Sequence, residues 1–156
     1  MPTLVLVRHA KSAYPDGVSD HDRPLNERGE RESLVMAQRI GERFDHLDLA
    51  LVSTARRAQQ TWTSMSEVWP DVPWQDRPEL YVASAVNLLS QVRSLPVTAE
   101  TVAMVGHNEG LEDLASELSG VPVTMKTSTY AVLTSDQPWS LWSTASAALA
   151  EVVVAR

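Results

Sequence analysis

Short apolar runs of strand-forming residues alternate with amphipathic helical stretches along most of this chain, and that alternation leaves few architectures open. The first run, Thr3 to Val7 ("TLVLV"), is almost continuously apolar, as a strand covered on both faces must be. Ala13 to Asn26 ("AYPDGVSDHDRPLN") gathers Pro, Gly, Asp and Ser and reads as a loop. Asn26 is expected to cap a helix over Glu27 to Phe44. Glu27 and Glu30 place negative charge in its first turn, and Leu34, Ala37, Ile40 and Phe44 recur at helical spacing.

Asp48 to Val52 reads as a second strand. Ser53 or Thr54 is expected to cap a second helix, with Trp62, Met65 and Trp69 as its core stripe. Pro70, Pro73 and Pro78 break the stretch beyond that helix. A third helix is expected over Val82 to Leu95, a strand over Thr101 to Gly106, and a fourth helix over Asn108 to Leu118, closed by Gly120. Tyr130 to Leu133 and Ala150 to Val154 are late strands without a long helix between them, so antiparallel pairing is expected. Trp139 and Trp142 are expected to pack beneath them. The whole pattern predicts an α/β fold of three layers, a mainly parallel central sheet flanked by helices. With 156 residues and neither an internal repeat nor a linker, residues 1–156 are expected to form one domain.

Composition narrows the chemistry. The chain has no cysteine, which excludes disulfides, thiolate catalysis and cysteine-ligated metals. A net charge of -7 disfavours nucleic acid and acidic membrane surfaces as partners. No run approaches the ~20 apolar residues of a membrane span, and no basic segment leads into an apolar one at the N-terminus. A cytoplasmic location without nucleic-acid or membrane partners is therefore expected. An acidic protein that binds an anion must gather its cations in one place.

Open α/β sheets bind ligands beyond the carboxyl ends of their strands. The first strand ends at Arg8 and His9. The second ends at Ser53, with Arg57 one helical turn later, and the strand from Thr101 ends at Gly106 and His107. A metal fits this set poorly. The histidines are His9, His21, His46 and His107, with no i,i+4 pair, and arginine opposes a cation. A phosphoryl group fits well, because its oxygens suit permanently charged guanidinium forks. Helix N-termini after Ser53 and His107 would add N–H donors, and a central imidazole can act as nucleophile. No GxxxxGK[ST] loop supports nucleotide triphosphate chemistry, and no cofactor is called for.

"VRHAKS" resembles the Arg-His-Gly signature of the histidine phosphatase superfamily, which has the phosphoglycerate-mutase-like fold. "DHDRPLNERGERES" is similar to that family's RPL loop and first helix, "STARRAQQT" to its second helix start, and "MVGHNEG" to its second histidine motif. The likeness runs from Thr3 to at least Gly110. The Arg-His-Ala-Lys-Ser version and the small size most resemble the SixA branch of phosphohistidine phosphatases. The resemblance implies His9 as a nucleophile that becomes phosphorylated, Arg8 and Arg57 as phosphate ligands, and His107 as a donor to the phosphoryl oxygens. Arg57 rather than Arg56 matches the motif, which leaves Arg56 on the surface. Lys11, Ser12, Arg23 and Asn108 are the implied substrate-binding residues, Arg23 having a loop ion pair as its alternative reading.

Two departures stand out. Ala10 replaces the family's glycine, and Lys11, where many members carry glutamate, adds positive charge at the pocket mouth. Glu79 in "RPELY" is the candidate general acid, with a solvated surface glutamate as the alternative. An imidazole leaving group, with a conjugate-acid pKa near ~6.5, departs far more easily than an alkoxide and tolerates a weak acid. The implied substrate is thus a phosphorylated protein, of a phosphorelay or another phosphohistidine protein. The alternatives are a broad-specificity phosphomonoesterase acting on small phosphoesters and a non-catalytic phosphoprotein-binding module. A mutase fits less well, since short connections leave little chain for a lid.

Overall fold

The computed structural model describes all residues from Met1 to Arg156. Six strands form one sheet: β1 (Thr3–Arg8), β2 (Leu49–Ser53), β3 (Trp74–Arg77), β4 (Thr101–Gly106), β5 (Thr129–Thr134) and β6 (Ala148–Val154). Their order is β3-β2-β4-β1-β5-β6. The first four are mutually parallel, β5 runs antiparallel to β1, and β6 antiparallel to β5. The helices are α1 (Glu27–Arg43), α2 (Arg56–Met65), α3 (Ala85–Arg93) and α4 (Gly110–Ser119).

The apolar run of β1 serves two cores. Val5 and Val7 pack with Met36, Ile40, Trp62 and Met65 of α1 and α2 on one face. Leu4 and Leu6 pack with Leu88, Val92, Leu111 and Leu114 of α3 and α4 on the other. Each such side chain, fully buried, contributes about 1.5–3 kcal/mol, so neither face of β1 tolerates a polar residue. Edge strand β6 instead alternates exposed and half-buried residues, as a strand covered on one side does. Trp139 and Trp142 are buried together, ring centroids 4.8 Å apart.

The Asn26 side chain accepts from Gly29 N–H at 2.8 Å and starts α1 as expected. Other boundaries differ. Helix α2 begins at Arg56 with Ala55 as its N-cap, because the Ser53 hydroxyl is committed elsewhere. It ends at Met65, so Trp69 reaches the core from the turn beyond and donates its indole N–H to Phe44 O at 3.2 Å. Helix α3 starts at Ala85, not Val82, since Val82 has a left-handed φ of 51° that no helix accepts; Ser84 supplies the cap. Helix α4 starts at Gly110. The short, exposed β3 lies between prolines and gave no apolar signal.

Gly29 and Gly110 allow two close approaches that shape the sheet's carboxyl edge. A Cβ on Gly29 would lie 2.1 Å from Lys11 O, and one on Gly110 would lie 2.2 Å from Ala83 O. The first seats α1 against the chain leaving β1, and the second seats α4 against the segment entering α3.

At the opposite edge, Asp48 joins the starts of β2 and β4. Its carboxylate accepts from the Glu100 and Thr101 amides at 2.8 Å each, and pairs with His46 Nε2 at 2.8 Å. Burial pushes its pKa up, but the Thr101 and Glu100 amides and His46 outweigh that and hold it below the usual 3.8. The stabilisation is therefore present above that value and is lost as pH falls through the folded-state pKa. Asp48→Ala should cost about 1–3 kcal/mol at pH 7 in urea unfolding, because two amides lose their acceptor. The difference from the parent should shrink as pH falls below the ordinary 3.8 and the parent carboxylate becomes protonated too.

Candidate active site

Parallel pairing of Arg8 with Gly106 brings the ends of β1 and β4 level, so the next residues, His9 and His107, stand side by side. Their ring centroids are 5.1 Å apart. The backbone around His9 is held from three directions. Its N–H donates to Gly106 O at 3.1 Å, Ser128 N–H donates to its carbonyl at 3.2 Å, and Ala10 N–H donates to Thr61 Oγ1 at 3.1 Å. Thr61 in turn donates to Arg57 O at 2.7 Å, linking the loop to α2.

His9 is 6% exposed. Its Nδ1 lies 2.7 Å from Ala10 O, an atom that can only accept, so Nδ1 carries the proton and Nε2 keeps its lone pair. Arg57 Nε donates to that lone pair at 3.3 Å. Burial first, then the neighbouring His107, Arg57 and Arg8, push the His9 pKa down to about 3 against the opposing hydrogen bond to Ala10. The ring is neutral at pH 7 with a defined nucleophilic nitrogen.

His107 is likewise buried, and burial followed by the Arg57 charge lowers its pKa to about 4. Its Nε2 is 2.8 Å from Ser53 Oγ. That hydroxyl accepts from Ala55 N–H at 3.3 Å, and assigning its own proton to His107 Nε2 makes Nδ1 the donor nitrogen. Neither ring should take up a proton between pH 8 and about pH 5; both should titrate only near their lowered values. Histidine side-chain NMR through that range is the check, and a His9 or His107 midpoint near 6.5 would contradict it.

Arg57, 5% exposed, is fixed on its other side by Asp20. Its Nη1 donates to Asp20 O at 2.7 Å and its Nη2 to Asp20 Oδ2 at 3.2 Å. The Tyr81 hydroxyl donates to the same Oδ2 at 2.6 Å, and its ring packs edge-on against His107 and His21. The Tyr81 hydrogen bond, opposed by burial and reinforced by Arg57, lowers the Asp20 pKa, so the carboxylate stays ionised and holds the guanidinium. On the β5 side, Arg8 Nη1 and Asn108 Nδ2 both donate to Met125 O, at 2.9 and 2.6 Å. Asn108 also donates to Glu112 at 2.9 Å.

Five of the seven buried side-chain polar atoms without a partner belong to this region: Arg8 Nε, Arg23 Nε and Nη1, His107 Nδ1 and Asn108 Oδ1. Four of the five are nitrogens that can donate, and of these only Arg23 Nε already faces a carboxylate, Asp20 Oδ1 at 3.2 Å. Buried groups are otherwise satisfied as a rule, so unspent donors concentrated around one imidazole point to an anion.

Of the residues expected from the sequence, Arg8, His9, Arg57 and His107 converge, and Arg23 and Asn108 flank them. Arg23 lies 3.2 Å from Asp20 and over the Tyr14 ring at 4.0 Å. Lys11 is half-buried beside the loop, and the backbone of buried Ser12 bridges to Leu25. Arg56 is exposed. Glu79 does not join them. In the 3-10 turn Pro78–Leu80, Leu80 enters the core and the following Tyr81 enters the site, while Glu79 faces solvent beside Asn87, Ser90 and Gln91. Ser53 was legible as a strand end and a helix cap but not as the partner of His107, and nothing in the spacing marked Asp20 as the partner of Arg57 or Tyr81 as a part of the site.

Residues 4–81 match the histidine phosphatase superfamily (branch 1). An uncharacterized protein of Mycobacterium tuberculosis is 36% identical over 118 residues, covering 76% of this chain and 73% of that protein. The structure of a candidate phosphohistidine phosphatase SixA from Nakamurella multipartitia superposes with a TM-score of 0.86 at 29% identity, covering 97% of this chain and 95% of that one. Its counterpart from Agrobacterium tumefaciens gives 0.83 at 28% identity, with 98% of each chain covered. No helix of this chain is long and apolar enough to cross a membrane. With a phosphoglycerate-mutase-like sheet, two neutral histidines and two arginines at its carboxyl edge, and these relatives, the chain belongs to the histidine phosphatase superfamily, on its SixA-like side.

Proposed function

We propose that residues 1–156 act as one cofactor-independent cytoplasmic domain that removes the phosphoryl group from phosphohistidine in a protein. The observation that carries the reading is the His9 ring, neutral and oriented, with the Nε2 lone pair beside Arg57 Nε. In the first step Nε2 attacks phosphorus, the bond from phosphorus to the substrate imidazole breaks, and that imidazole leaves with a proton from solvent. Phosphorylated His9 results. Water then attacks the same phosphorus, the bond to Nε2 breaks, and inorganic phosphate departs as His9 returns to its neutral form. Arg8, Arg57 and His107 Nδ1 stabilise the phosphoryl oxygens through both steps.

The proton inventory favours phosphohistidine over alkyl phosphates. Glu79 forms no hydrogen bond or ion pair with the converging residues, and Asp20 is held ionised by Tyr81 and Arg57, which suits it poorly to donate. An imidazole leaves without a strong acid, whereas an alkoxide does not. The likeness to SixA-type structures supports the same reading.

Initial rates on a phosphohistidine-carrying protein, sugar phosphates and an aryl phosphate test it. The expected result is a kcat/KM for phosphohistidine at least ~100-fold above that for sugar phosphates, as a leaving-group argument requires. The reverse order would replace this reading with a broad phosphomonoesterase. Phosphate binding without turnover of any of the three would replace it with a binding module.

A further inference from the structure

The chain has only two lysines, Lys11 and Lys126, against eleven arginines spread over its length. Both stand at the mouth of the site. The antiparallel pairing of β1 with β5 matches Val7 to Tyr130, and one step further Ser128 N–H donates to His9 O. Two residues on from that contact in each direction come Lys11 and Lys126. Lys126 also follows Met125, whose carbonyl receives Arg8 and Asn108. Lys126 thus leaves the β5 side of the pocket, and Lys11, whose carbonyl accepts from Asn26 N–H at 3.0 Å, leaves the side of the loop before α1.

Neither ammonium group enters an ion pair or a side-chain hydrogen bond, whereas Arg23, Arg28, Arg43 and Arg57 all have carboxylate partners. Lys126 is exposed and Lys11 half-buried, and neither ammonium group is bonded to the buried imidazoles. In a protein of net charge -7, two unpaired cations beside the one cationic cleft oppose the repulsion that an acidic partner would otherwise meet. A flexible, strongly hydrated ammonium suits carboxylates whose position varies, where a guanidinium fork suits one fixed geometry.

We propose that Lys11 and Lys126 form a second recognition element, which binds acidic side chains flanking the phosphorylated histidine of a protein substrate. It rests on the phosphohistidine reading and adds the sequence context of that substrate. The target is a flanking residue rather than a second charge on a small phosphoester, because both lysines lie outside the ring of buried groups that would hold the phosphoryl.

The test uses two peptides with the same central non-hydrolysable phosphonate mimic of phosphohistidine, one flanked by Asp and Glu, the other by Ser and Gln. Both compete against aryl phosphate hydrolysis, so inhibition constants emerge whether or not peptides of this class are hydrolysed. The acidic peptide should inhibit about tenfold more strongly at low salt, the scale of two rim ion pairs. That advantage should fall to less than about twofold near 0.5 M salt, where screening is short-ranged. The double variant Lys11→Gln, Lys126→Gln should lose the preference at low salt, while Arg31→Gln, an exposed cation of α1, should keep it. Equal inhibition by the two peptides, no inhibition by either, or a preference that survives in the double variant would overturn the proposal. Hydrolysis of the corresponding phosphohistidine peptides is read separately and bears only on the proposed reaction.

Discussion

Replacing His9 with alanine is expected to abolish turnover, lowering kcat/KM by at least ~10⁴-fold, as the loss of a covalent nucleophile does. The arginines and His107 would still bind phosphate, so affinity for inorganic phosphate should change far less than rate. In the parent protein, rapid quenching into alkali after mixing with labelled substrate should trap an acid-labile, alkali-stable adduct on His9. Label on another residue, or appreciable activity in His9→Ala, would overturn the role. The same variant carries a second signature, in stability. A folded-state pKa of about 3 against an ordinary 6.5 means that the unfolded chain takes up a proton below pH 6.5 that the folded chain refuses. His9 therefore destabilises the fold progressively as pH falls from 6.5 towards 3 and has no such effect above 6.5. Relative to the parent, His9→Ala should look about 2 kcal/mol better at pH 5 than at pH 8. A pH-independent difference would mean that His9 is not held neutral by its surroundings.

Much of this site was legible because the sheet's own rule reveals it. Parallel strands end at one edge, so the residues after Val7, Val52 and Val105 must meet there, and Arg8, His9, Ser53 and His107 do. Arg57 follows by helical spacing, and its burial beside exposed Arg56 is what the first turn of α2 dictates. The rest depends on contacts between segments that carry no periodic signal. Tyr81 reaches Asp20 across 61 residues, and the bend that aims it is set by a left-handed Val82 that propensity alone would place in a helix. Glu79 stands away from the converging residues for the same reason. In a 3-10 turn that gives Leu80 to the core and Tyr81 to the cleft, the residue before them is left for solvent. Ser53 reads from the sequence as a strand end and a helix cap, and only the level ends of β2 and β4 make it the partner of His107.

Arg57→Ala should lower kcat/KM by at least ~100-fold, the scale of removing one preorganised donor from a water-poor site, while Arg56→Ala should lose less than about twofold. Arg57 is buried with its Nε on His9 and both terminal nitrogens on Asp20, whereas Arg56 on the next position round the helix is exposed. Arg57→Lys should recover little, since a single ammonium cannot satisfy His9 and Asp20 together as the guanidinium does. Asp20→Asn separates positioning from contact. It keeps the backbone carbonyl that accepts from Nη1 but removes the carboxylate charge facing Nη2 and leaves one neutral amide oxygen in place of the acceptor shared by Nη2 and Tyr81. A loss of about tenfold, carried by kcat more than by KM, is expected if Asp20 acts by aiming Arg57 at charge that develops in the transition state. Tyr81→Phe should follow in the same direction with a smaller loss, because it removes one hydrogen bond to Asp20 and leaves the ring against His107. Equal losses in Arg56→Ala and Arg57→Ala would mean that α2 presents a different face to the cleft. An Asp20→Asn variant with unchanged kcat would mean that packing around Arg57, rather than its carboxylate partner, sets its aim.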